Sequence, residues 1–88
     1  MENADTPNYS LIFGQALKAR RMALSVSQEE LAYRAGVDRT FVSRIERGIR
    51  QPTITTIFSL SHALEISASE LVKDVEFLVR RAAGNQSP

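Results

Sequence analysis

Arg39, Thr40, Ser43, Arg44 and Arg47 fall within nine residues at spacings of one, three and four. On an α-helix that spacing gathers them on one arc, while Val42 and Ile45, three apart, point the other way. The planar fork of arginine matches the O6 and N7 acceptors of guanine in the major groove. Small hydroxyls serve either base or pack beside a thymine methyl. Arg39, Thr40, Ser43 and Arg44 are therefore candidate base readers, with Arg39 and Thr40 at the N-terminal end of the helix, the end that enters a groove most deeply. Phosphates need donors on both flanks to fix the register of such a helix. Gln28, Arg34, Arg47, Arg50 and Thr53 are the candidates. The competing reading of each cation is a solvated surface charge.

Five helices must position these residues: Tyr9 or Leu11 to about Leu24, Gln28 to Ala35, Arg39 to Arg47, Ile54 to about Glu65, and Ala68 to about Ala82. Ser10, Ser27, Asp38, Thr53 and Ser67 are the expected N-caps. Ser27 with Glu30, and Ser67 with Glu70, have the spacing of a capping box. Gly36 ends the second helix at no steric cost, and Gly48 closes the third. Ile54-Thr55-Thr56-Ile57-Phe58 is β-branched but belongs to a helical stripe of Ile54, Ile57, Leu60, Ser61 and Leu64. One all-α core is expected from Phe13, Leu17, Val26, Leu31, Ala32, Ala35, Val37, Val42, Ile45, Ile57, Leu60, Leu64, Ile66 and Leu71. Residues 1–8 are expected to form a flexible arm, 9–83 the folded domain and 84–88 a flexible tail.

Two short helices around a glycine turn, the second bearing the arginines, have the build of a helix-turn-helix. The Ser27-Gln28-Glu29-Glu30-Leu31-Ala32 opening, the Ile45-Glu46-Arg47-Gly48 ending and the Pro52-Thr53 start of a further helix resemble the lambda-repressor-like, or Cro/repressor, helix-turn-helix family. The resemblance covers about Phe13 to Leu71. The run from Asp38 to Ser43 is similar to the Asp-Arg-Thr-Tyr-Ile-Ser of restriction-modification controller proteins. Phe41 stands where that subgroup has tyrosine, and Arg44 adds a charge where small residues are common; both departures bear on the operator sequence. The resemblance implies a compact five-helix DNA-binding domain and a sequence-specific transcription regulator. It further implies that Gln28 clamps a phosphate from the start of the second helix, and that Arg21 forms a structural ion pair with Glu46, keeping that carboxylate off the DNA face. An antitoxin-type interaction module and a prophage repressor are the alternatives.

The distribution of charge agrees with a DNA-facing half. The net charge is only +1, yet Lys18 to Arg50 holds eight basic against four acidic residues, net +4, and the remainder is net −3. One face can then meet phosphate while the other does not. With 88 residues the chain supports one small core. There is no cysteine and only His62 as histidine, so no nucleophile–base pair can be drawn and no histidine cluster can form within one chain. The chain is expected to have no enzymatic activity, no cofactor, no metal and no small-molecule ligand. Its N-terminus is polar and no apolar run spans a membrane, which gives a cytoplasmic expectation. The partners expected are double-stranded DNA and a second copy of the chain. Leu71, Val72, Val75, Leu78 and Val79 make two adjacent stripes on the fifth helix, wider than one small core covers, and are the expected homodimer interface.

Overall fold

In the computed structural model, residues 6–85 are described, and among them the chain forms five helices and no strand. They are α1 (Tyr9–Ala23), α2 (Gln28–Ala35), α3 (Arg39–Glu46), α4 (Ile54–Ala63) and α5 (Ala68–Asn85). No helix among these residues is long and apolar enough to cross a membrane. The first five residues of the expected arm and the last three of the expected tail lie outside the described residues.

Local chemistry sets the boundaries. α1 begins at Tyr9, ahead of the alternative start at Leu11, so its cap is Asn8, whose Oδ1 accepts from the Leu11 N–H at 3.1 Å. Ser10, expected as the cap, instead lies inside the first turn and its hydroxyl donates to Oε1 of Gln51 at 3.0 Å. Ser27 caps α2 through the Glu30 N–H at 3.0 Å, but the Glu30 carboxylate turns to Arg34 and leaves the capping box half made. At α5 the box closes: the Glu70 N–H donates to the Ser67 hydroxyl and the Ser67 N–H to Glu70 Oε1, both at 3.1 Å. The Ser67 backbone and hydroxyl donors hold the Glu70 carboxyl below its usual range. Asp38 sits at the N-cap of α3 without a side-chain cap; its carbonyl accepts from the Phe41 and Val42 N–H groups.

Gly36 takes the left-handed conformation expected of it, φ 72°, and the Val37 N–H closes on the Ala32 carbonyl. The ends of α1 and α4 use the same device without glycine. Ser25 and Glu65 have φ of 59° and 64°, and the N–H groups of Val26 and Ile66 reach back to the carbonyls of Arg21 and Ser61. α4 therefore stops at Ala63, short of the expected end near Glu65. α5, with no such breaker, runs on through Gly84 to Asn85 and takes in the start of the expected tail.

α1 packs on α3 and α5, α2 on α3 and α4, and α4 on α5. Every residue expected in the core belongs to the observed cluster, with Ala35, Val37, Ile57 and Ile66 only partly covered. Ala16 and Ala63 join it beyond expectation, since small residues carry little periodic signal. Ile54 drops out of the α4 stripe and is exposed together with Phe58. Where α1 crosses α3 the two backbones nearly touch. Gly14 is buried there, and a Cβ on it would strike the Ile45 carbonyl oxygen and lie 2.6 Å from that of Glu46. Gly48, at φ 77°, brings the end of α3 against Leu11 of α1. These close approaches dock α3 on a fixed base.

Candidate nucleic-acid interface

α3 has one carboxylate, Glu46, and it is buried. Its side chain, 3% exposed, accepts from Arg21 Nε at 2.6 Å and Nη2 at 3.0 Å, and Arg21 is itself only 11% exposed. Arg21 Nη1 also donates to the Val26 carbonyl at 2.8 Å. Glu46 Oε1 further accepts from the Gln28 side-chain amide at 2.9 Å. One carboxylate thus ties α1, the first residue of α2 and the end of α3 together. The link to Gln28 has no signal in the sequence, because no spacing rule pairs residues 18 apart. It occupies one amide N–H of Gln28 and leaves the second.

With the acid turned in, the outer arc of α3 is cationic. Arg39, Thr40 and Arg44 are exposed, and among the described residues their side chains have no hydrogen-bond or ion-pair partner. Ser43 is half-buried, and its hydroxyl and carbonyl both accept from Arg47 Nε at 3.3 Å. Arg50 folds back so that its guanidinium lies 5.2 Å from the centre of the Phe41 ring. Thr53 caps α4, its hydroxyl oxygen accepting from the Thr56 N–H at 3.2 Å. Arg34 departs from the rest, since it pairs with Glu30 at 3.0 Å and approaches Glu65 at 3.7 Å. Its charge is met by carboxylates of its own chain.

The face on α5 also differs from expectation in one residue. Leu71 is wholly buried (0% exposed) in the chain's own core and is unavailable to a partner, because its side of α5 is the one that docks on α1 and α4. Val75 and Leu78 are partly buried against the same core. Val72, 41% exposed, Val75 and Val79 border a shallow apolar groove with Tyr9. A neighbouring cleft of about 200 Å³ is lined by Tyr9, Phe13, Ile57, Val72 and Val75, among others. On the opposite flank Arg20 clasps Asp74 with Nε at 2.5 Å and Nη2 at 3.1 Å, an α1–α5 link that sequence spacing does not disclose. The hydrogen bond to Asp74 raises the Arg20 pKa further above its ordinary value.

A short capped helix, a glycine turn and an exposed cationic helix docked on a common core define a helix-turn-helix. A family model described as helix-turn-helix matches residues 17–71. The chain belongs to the helix-turn-helix family of DNA-binding transcription regulators, in its lambda-repressor-like class. It is 38% identical over 68 residues to the control protein C.BamHI of Bacillus amyloliquefaciens, covering 76% of this chain and 84% of that one. It is similar in structure to the restriction-modification controller protein C.AhdI from Aeromonas hydrophila, with 43% identity, a TM-score of 0.68 and coverage of 69% of this chain and 92% of that one. It is also similar to the restriction-modification controller protein C.Esp1396I, solved as a tetramer in complex with its natural 35 base-pair operator. There the identity is 30% and the TM-score 0.69, over 80% of this chain and 97% of that one.

Proposed function

We propose that the chain acts as a homodimer on a near-palindromic operator, as a controller of restriction-modification genes. The observation that carries the reading is the inward turn of Glu46, which leaves the outer arc of α3 and its C-cap with Arg39, Thr40, Arg44 and Arg47 and α3 with no outward carboxylate of its own. Arg39, Thr40, Ser43 and Arg44 read bases, Arg39 foremost because it is exposed, unpaired and at the N-terminal end of the helix. Gln28 gives its second amide N–H to a phosphate on one flank; Arg47, Arg50 and the start of α4 at Thr53 hold the other. Arg34, neutralised by Glu30 and Glu65, drops out of the phosphate set. The protein works in the cytoplasm, without an enzymatic activity, cofactor or small-molecule ligand of its own. The kinship with controllers, one of them solved on its operator, supports this assignment.

Selection of bound sequences from a random duplex pool tests the reading, since it yields half-site, spacing and symmetry together. Enrichment of no symmetric site would overturn it. Arg39→Ala is expected to cost about 2 kcal/mol on the selected site and to relax preference at one base position. Equal losses on selected and random duplexes would remove Arg39 from the base readers.

The second copy is placed on α5 through Val72, Val75 and Val79, with Leu78 contributing at the edge, so that two α3 helices lie about 34–36 Å apart, one DNA turn. Val72→Asp is the cleaner probe, because Val75 and Leu78 also pack on their own core. Its thermal midpoint is expected to fall only by what dimerisation contributes and to lose its dependence on protein concentration. In sedimentation it should give a monomer, and operator affinity should fall at least about tenfold as the tethered neighbour is lost. A Val72→Asp variant that still sediments as a dimer would move the interface elsewhere.

A further inference from the structure

From the Phe41–Arg50 stack we infer that Phe41 is a positioning residue: its ring holds the Arg50 guanidinium in place to meet a DNA phosphate, and it does not itself read a base. The inference rests on the DNA-binding role proposed for Arg50. Phe41 is partly buried and packs against the core, so the side chain is anchored from beneath. Arg50 lies beyond Gly48, where the chain folds back over the end of α3; the N–H groups of Ile49 and Arg50 both donate to the Arg44 carbonyl, at 2.9 and 3.2 Å. That fold carries the guanidinium to 5.2 Å from the ring centre.

An exposed arginine stem otherwise samples many rotamers, and ordering it on binding costs side-chain entropy. The negative face of the ring attracts the cation and removes part of that cost before DNA arrives. The stack leaves the charge unspent, because among the described residues no carboxylate pairs with Arg50. A phenyl ring, unlike a phenol, has no hydroxyl with which to hydrogen-bond a base or phosphate. What the ring offers is a π-face, and the Arg50 guanidinium lies over it.

The test measures DNA affinity against salt for the full chain and for Phe41→Met, Phe41→Tyr, Arg50→Gln and the double variant Phe41→Met with Arg50→Gln. Methionine keeps apolar bulk against the core, and tyrosine keeps the ring face. Arg50→Gln is expected to weaken selected and random duplexes alike and to make the log–log salt slope shallower by about 0.9 per subunit. Phe41→Met should shift affinity and slope in the same direction, with a loss of roughly two- to fivefold per subunit on both duplexes. Phe41→Tyr, which keeps the ring face, should bind at least as tightly as the parent does. In the Arg50→Gln background, Phe41→Met should change affinity little. The Arg50 Hδ resonances of the free protein should be moved upfield by the ring in the parent and in Phe41→Tyr, and return to ordinary values in Phe41→Met.

The inference fails if Phe41→Met costs as much in the Arg50→Gln background as in the parent, or costs affinity on the selected sequence alone. It also fails if the resonances carry no ring shift. A Phe41→Met chain that did not fold would leave the resonances of the parent and Phe41→Tyr to decide. Should Arg50→Gln alone leave affinity and slope unchanged, the phosphate role of Arg50 is what falls, and the two failures are told apart.

Discussion

Glu46→Ala is expected to destabilise the fold by about 3 kcal/mol, the lower end of what removal of one partner from a buried ion pair costs. The lower end applies because Arg21 keeps one acceptor, the Val26 carbonyl, when the carboxylate is gone. Two Arg21 donors and the Gln28 amide lose their acceptor in one step, and Arg21 is left as a nearly buried, uncompensated cation. A domain of this size commonly has a total stability of about 5–15 kcal/mol, so the loss is a large share of it. Urea unfolding of the parent, Glu46→Ala, Arg21→Met and the double variant measures it as a cycle. The double variant should be more stable than the sum of the single losses implies, because an apolar stem without its partner leaves no buried charge. Additive losses would mean that the two side chains contribute independently. Since Glu46 also fixes Gln28 and the end of α3, the folded fraction of Glu46→Ala should bind DNA more weakly as well.

Gly14→Ala is expected to cost about 3 kcal/mol, the top of the usual range for overpacking. Most added methyl groups meet the flexible end of a side chain that can move aside. Here the neighbours are the main-chain carbonyls of Ile45 and Glu46, which cannot yield without moving α3. Helix propensity runs the other way, favouring alanine by roughly 1 kcal/mol, so the sign of the measured change reports which effect dominates. Gly84, also helical, provides the control, because a methyl group added there would meet nothing within 4 Å. Gly84→Ala should be neutral or stabilising, while Gly14→Ala lowers the thermal midpoint and displaces α3 from its base. A stable Gly14→Ala chain with full DNA affinity would show that α1 and α3 separate at little cost.

These two substitutions act on one joint. Gly14 sets how closely α3 approaches α1, and Glu46 locks the end of α3 to α1 and α2. Base readout needs side chains held within a fraction of an ångström, which loosely docked helices do not provide. The cationic arc is therefore only as specific as the joint beneath it is rigid. Among the described residues the side chains of Arg39 and Arg44 make no hydrogen bond or ion pair, so their truncation should be felt on DNA and hardly in the melting curve.

Much of what depends on neighbours along the chain was legible in the residues themselves, although the α1 cap fell on Asn8 and not on Ser10. Five helices follow from 3.6-residue periodicity. The turn at Gly36 follows from the one residue type that enters the left-handed region freely, and the caps at Ser27, Thr53 and Ser67 from a hydroxyl placed one residue before a helical run. The cationic arc of α3 needed only the spacing from Arg39 to Arg47. The pairing of Arg21 with Glu46 came from a family resemblance, since nothing local joins residues 25 apart. Tertiary structure alone decided the rest. It fixed the Gln28–Glu46 link, the Arg20–Asp74 clasp and the Phe41–Arg50 stack, each formed where separate segments meet. It enclosed Leu71 and left Val72 at the surface, a choice periodicity cannot make when two stripes lie side by side and only the packing of α1 and α4 shows which is covered. It also ended α1 at Ala23 and α4 at Ala63, with Ser25 and Glu65 just beyond them in the left-handed region, residues without the conformational signature of glycine.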